Sequence, residues 1–223
     1  MTPQGKLARI AGLWFLVVIL AAPVRLIVVP DGSAQDVLDH LALFRAGIVT
    51  DLLTGVAMLF LTFALRRLLL GVQQDWANAL VILGGIIPAT LYVVNVGNDA
   101  AAILLAKGAP FLDAFSEAQR FALAEVFLRL HDRMIVAAEL FWGLWLLPLS
   151  ALVWHSRFLP RLLGAWLLIN GIAYVAQCIT GFAWPTAPTL SSICAPIQFG
   201  EIVFAFWLLA FGARPSFRSR EMA

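Results

Sequence analysis

Six stretches of this chain are each long and apolar enough to cross a bilayer, and no other feature of the sequence restricts the fold as much. A hydrocarbon core about 30 Å thick needs about 20 apolar residues in helical form. The stretches at about 8–29, 43–65, 77–98, 134–154, 159–181 and 193–213 meet that length. Composition points the same way, with 62% hydrophobic and 13% charged residues, where a soluble domain has roughly 45–50% and 25%. Such a chain cannot cover itself in polar surface, which excludes a soluble enzyme core, a disordered chain and a disulfide-stapled secreted fold. The expectation is an all-α fold: a polytopic membrane bundle of six transmembrane helices, one domain over residues 1–223. Lys6 and Arg9 precede the first stretch as they would in a signal peptide. The apolar run nevertheless continues through Val28 and Val29 without an A-x-A cleavage site, so it reads as a retained span. Pro23 is expected to kink it.

Orientation follows from the basic residues. Lys6, Arg9, Arg66, Arg67, Arg157, Arg161, Arg214, Arg218 and Arg220 fall on one side, with only Asp75 and Glu221 among the acids. Asp31, Asp36, Asp39, Asp99, Asp113, Glu117, Glu125 and Asp132 fall on the other. The positive-inside rule makes the basic side cytoplasmic, so both termini are expected inside. The outer connection before span four should hold an amphipathic helix. Ser116 and Gln119 form a capping-box start. Glu125, Arg129, Asp132 and Arg133 share one face of it, with Leu123, Phe127, Leu130 and His131 on the other.

The net charge of +2 and the lack of a basic, aromatic-laced tract argue against a nucleic-acid partner. Two cysteines and three histidines are too few for a cysteine-rich metal framework. No Gly-rich phosphate loop, GxSxG or HExxH is present, and no repeat suggests an inverted-repeat transporter. No cofactor is assigned, and membrane lipids are the one partner the composition requires.

Polar side chains inside the spans are informative because an ionised group at mid-depth costs about 2.5–3.5 kcal/mol on insertion scales. At about 1.5 Å per residue, Asp51, Glu139 and Glu201 lie roughly 20–24 Å from the cytoplasmic boundary. Arg25, Asn95 and Gln177 fall at comparable or shallower depth from the outer face, and Arg45 and His131 at its rim. Gln198 shares the face of Glu201, and Thr54 that of Asp51. In the cytoplasmic half, Asn170 alone is strongly polar away from the boundary. The pattern predicts a polar concavity open outward above an apolar floor.

Three readings of these residues compete. One is a buried ion-pair network that fixes helix packing, with Arg25 and Arg45 against Asp51 and a glutamate. A second is a pocket in the outer half of the bilayer for a small or lipidic ligand, lined by Arg45, Asp51, His131, Glu201, Gln198 and Glu139. A third is a membrane-embedded metal-dependent enzyme using His131 and Glu201. The second is the functional reading adopted. No metal ligands are assigned, because the spacing of Glu139, Glu201 and His131 matches no known signature. Cys178 and Cys194 fall at similar height on consecutive spans, on the oxidising side, where they could form a disulfide. The alternative is two buried thiols acting as small apolar groups.

Several segments occur in an order that resembles a known family: ARIAGLWFLVVIL, LFRAGIVTDLL, LHDRM, SRFLPRLLG and GEIVFAFWLLAFG. Together they are similar to the bacterial multi-pass membrane family catalogued as domain of unknown function 4386, over roughly residues 7–213. Arg45, Asp51, His131 and Glu201 match the family pattern, whereas Glu139 and Trp145 depart from it. The resemblance implies a multi-pass membrane topology and names no activity.

Overall fold

The computed structural model describes residues 2–30, 32–184, 194, 197 and 199–213, all of it helix and connecting turns, with no strand among them. In chain order the helices are α1 (Pro3–Val28), α2 (Ala34–Asp39), α3 (Leu41–Leu69), α4 (Gln74–Lys107), α5 (Glu117–Leu144), α6 (Leu146–His155), α7 (Arg161–Ala183) and α8 (Phe199–Ala210). Among the described residues, five helical runs are long and apolar enough to cross a membrane: α1, α3, α4, the run Glu117–His155 formed by α5 and α6, and α7. The expected sixth stretch, 193–213, is represented by the 12-residue apolar helix α8 and by helical residues Cys194 and Ile197.

Several boundaries differ from the hydropathy reading. α4 does not stop at residue 98 but continues to Lys107, since the Ala-rich segment after Asp99 is strong helix former. The connection from α1 to α3 contains α2, which hydropathy missed; Ser33 caps it by accepting from the Asp36 amide at 3.2 Å. α1 runs through Pro23 as one helix. The capping box ahead of α5 is present in both directions. The Ser116 amide donates to Gln119 Oε1 at 2.9 Å, and the Gln119 amide donates to Ser116 Oγ at 3.3 Å.

The expected wheel of α5 needs correction. Over residues 117–133 its buried positions are Ala124, Leu128 and His131, while Leu123, Val126 and Leu130 are exposed. Glu125, Arg129, Asp132 and Arg133 are exposed as expected. The inner face is set by Ala124, Leu128 and His131 at spacings of four and three, so a wheel that groups Leu123, Leu130 and His131 is wrong for this stretch.

Packing divides the chain into two compact units. The first comprises Met1–Ile19, Ala57–Pro88 and Val136–Ala223. Its core is a continuous apolar cluster that includes Phe15, Leu61, Leu65, Trp145, Leu149 and Phe204. Phe15 is the hub, with ring centroids 6.0 Å from Trp145 and 6.2 Å from Phe204. Val81–Ile86 forms a π-helical turn within α4, and the close fit there depends on Gly84. A Cβ at that position would sit 2.7 Å from Trp145 Cε3, well inside van der Waals contact.

The second unit comprises Leu20–Val56 and Ala89–Ile135. Val29, Val37, Phe44, Ala102 and Leu128 pack as one apolar cluster in it, and Ala34, Leu105, Ala106, Leu112 and Ala124 as another.

Candidate functional site

The second unit buries a group of charged side chains, and helical periodicity on four helices explains how. On α1 and just beyond its end, Ala21, Arg25 and Val29 recur at every fourth position and are buried. On α3 the buried face is Phe44, Gly47, Asp51 and Thr54; on α4 it is Asn95, Asp99, Ala102 and Ala106. On α5 it ends in His131. Spacings of three, four and seven hold each set on one face, so every helix presents one ionisable group among small, apolar or uncharged polar neighbours.

These groups meet. Arg25 Nη2 donates to Asp99 Oδ1 at 3.1 Å, with the two residues 2% and 0% exposed. The Arg25 guanidinium also lies 4.6 Å from the centroid of the Phe44 ring, a cation–π arrangement. Its stem passes close to α3 because residue 47 is glycine: a Cβ there would lie 2.7 Å from Arg25 Cδ and 2.9 Å from Val29 Cγ2. His131 Nδ1 is 3.1 Å from the same Asp99 oxygen, near enough for an ion pair but not aligned for a hydrogen bond. The Asn95 side chain donates to the His131 carbonyl at 3.3 Å and accepts from Asn98 Nδ2 at 3.0 Å, which ties α4 to α5 beside the group.

Two features give this cluster chemical capacity. First, Asp99 Oδ2 and both ring nitrogens of His131 are buried without a hydrogen-bond partner among the described residues. Nearly all buried polar atoms in proteins are satisfied, so Asp99 Oδ2 and His131 Nε2 together, beside an Nδ1 held only by the ion-pair contact, call for an explanation. Second, ligating atoms of Asp51, Asp99 and His131 all lie within 4.8 Å of one another. Two carboxylates and an imidazole form a donor set able to hold a divalent cation. The formal charges do not balance when the imidazole is neutral, since Arg25 offsets only one of the two aspartates.

The structure sorts the residues expected from sequence. Asp51 and His131 come together, and Arg25 joins them through Asp99 rather than through a glutamate. Arg45 is exposed. Glu139 and Glu201 belong to the first unit. There Asn170 Nδ2 is 3.5 Å from Glu201 Oε1, and Tyr174 is a second hydrogen-bonding neighbour of that carboxyl. Glu139 is half-buried, with Cys178 and Cys194 as neighbours. Both cysteines are buried free thiols, so the disulfide considered from sequence is not formed in the structure. Each thiol sits as a small apolar group, the alternative reading. Gln198 lies outside the described residues, as do Asp31, Arg214, Arg218, Arg220 and Glu221.

The residue that sequence reasoning missed is Asp99, which it assigned to the outer connection as one of eight surface acids. The available signal was the run Ala100–Ala106, which carries the helix a further two turns.

A family model described as "Domain of unknown function (DUF4386)" matches residues 10–212. No curated protein and no solved structure matches the chain.

Proposed function

Because the chain belongs to the DUF4386 family, whose description leaves its activity open, we propose from the chain's own geometry that it is a membrane receptor for a small polar ligand, held at the buried Arg25–Asp51–Asp99–His131 cluster. The observation that carries this reading is the unused polar capacity at Asp99 Oδ2 and His131. A network serving only as packing glue gains its stability by pairing each buried group, because desolvation otherwise exceeds the Coulombic gain. This one leaves Asp99 Oδ2 and His131 Nε2 without a hydrogen-bond partner among the described residues, beside an ion-paired Nδ1.

The same proposal includes topology. The five long helices and the apolar α8 support six spans. The basic 2–3 and 4–5 connections support a cytoplasmic location for those turns and for both termini, in a bacterial inner membrane. The cluster then lies in the outer half of the bilayer. Single cysteines at Gln74 and Ala114, in a chain lacking Cys178 and Cys194, test the orientation. Ala114→Cys should react with an impermeant maleimide on intact spheroplasts and Gln74→Cys only after lysis; the reverse pattern refutes it.

Native mass spectrometry of the protein released from membranes tests the ligand. A bound non-lipid species that disappears in Asp51→Asn supports the receptor reading. A bare polypeptide mass, under conditions that retain bound lipid, rules it out.

A further inference from the structure

We propose that the ligand of this cluster is a divalent transition-metal cation of the zinc and cobalt class, coordinated by Asp51, Asp99 and His131; this rests on the receptor reading above. The geometry assigns each group a task. Arg25 approaches Asp99 through Oδ1, which orients the carboxylate and leaves Oδ2 directed elsewhere and without a partner. Ligating carboxylates in metal centres are commonly held in this way by an outer hydrogen bond, and outer partners supply roughly 10–100-fold in affinity. His131 presents Nε2, which is buried without a hydrogen-bond partner among the described residues, while its Nδ1 faces Asp99 Oδ1 at 3.1 Å. Asp51 adds the second carboxylate from α3, completing three protein ligands from three helices. With ligating atoms already within 4.8 Å, side-chain shifts of about 1 Å bring them to the roughly 2.0–2.2 Å bonds that zinc takes to nitrogen and oxygen.

The donor set selects the class of metal. Calcium takes six to eight oxygen ligands, and magnesium retains several waters in a strict octahedron. A mixed site of two oxygens and one imidazole suits zinc, cobalt or manganese better. Three protein ligands leave a coordination position open, as in sites that exchange or act on a further ligand rather than closed structural sites. Charge indicates what fills it. The dication and Arg25 together exceed the two aspartates by one positive charge, so an anionic fourth ligand neutralises the assembly in its apolar surroundings. Phe44, Val29, Ala102 and Leu128 form the adjoining apolar cluster, which excludes competing water.

The test uses the full chain, purified in detergent on a peptide tag without histidines, stripped with chelator and titrated with Zn2+ by calorimetry and Co2+ by visible absorption. One equivalent of each metal per chain is expected, with ligand-field bands from cobalt. His131→Gln and Asp51→Asn should weaken binding by more than the roughly 100-fold that an outer-sphere partner can supply, and Arg25→Lys by roughly 10–100-fold. Glu125→Gln, on the exposed face of α5, should bind as the parent does. Variants are compared only where they elute as a single monodisperse species, and the parent titration stands by itself if a variant fails to fold. Failure of the parent to bind either metal, or binding unchanged in both His131→Gln and Asp51→Asn, overturns the metal assignment. If native mass spectra then still show a non-metal species lost in Asp51→Asn, the receptor reading survives alone. A bare mass removes both.

Discussion

Replacing Asp99 by leucine probes the centre of the second unit most sharply. Arg25 and Asp99 are 3.1 Å apart and almost wholly excluded from solvent. At an effective dielectric constant of about 20, two unit charges at that separation attract by about 5 kcal/mol. Removing one partner of a buried pair costs about 3–5 kcal/mol, because the other charge stays desolvated. The Phe44 ring contributes about 2 kcal/mol when a cation–π contact is desolvated, and Asp51 lies in the same group, so the lower end of that range is the expectation for Asp99→Leu. Arg25→Met should cost a similar amount. The double variant should recover most of the loss, since an apolar pair of similar volume is neutral or better in such sites. The assay is reversible unfolding in mixed detergent micelles, followed by tryptophan fluorescence, with the four proteins forming a double-mutant cycle. An Asp99→Leu penalty below about 1 kcal/mol, or a double variant as unstable as the sum of the singles, would falsify the pairing.

Three further outcomes are expected. Gly47→Ala should destabilise the protein by about 1–3 kcal/mol, as overpacking does, because the new methyl meets the Arg25 stem at 2.7 Å; unchanged unfolding in the same assay counts against the close approach of α1 to α3. Ser116→Ala should cost about 1 kcal/mol by removing one arm of the capping box, read as faster amide exchange confined to the first turn of α5. Denaturation in iodoacetamide without reductant should add two alkyl groups to the chain, one at each free thiol; a mass lacking both additions contradicts the free-thiol state.

The membrane character of this chain was legible in the sequence because it depends on composition summed over about 20 residues, a quantity no tertiary contact alters. The capping box before α5 was legible for a related reason, since both partners lie within one turn. Asp51 and His131 were also visible as costly groups in apolar surroundings. Their company was not. Arg25 and Asp99 are 74 residues apart, and hydropathy ended the third span one residue before the aspartate that turns out to be the hub of the cluster. Helices continue beyond the apolar stretch when their residues favour helix and find packing partners, and the second condition is set only by the fold. The same holds for Glu201 and Glu139, carboxylates that the sequence places at a depth like that of Asp51 but that pack in the other unit among Asn170, Tyr174 and the cysteines. Side-chain chemistry along the chain determined which residues need partners. Which partners they obtain was decided by the faces four helices turn toward one another, and that is a property of the assembled unit.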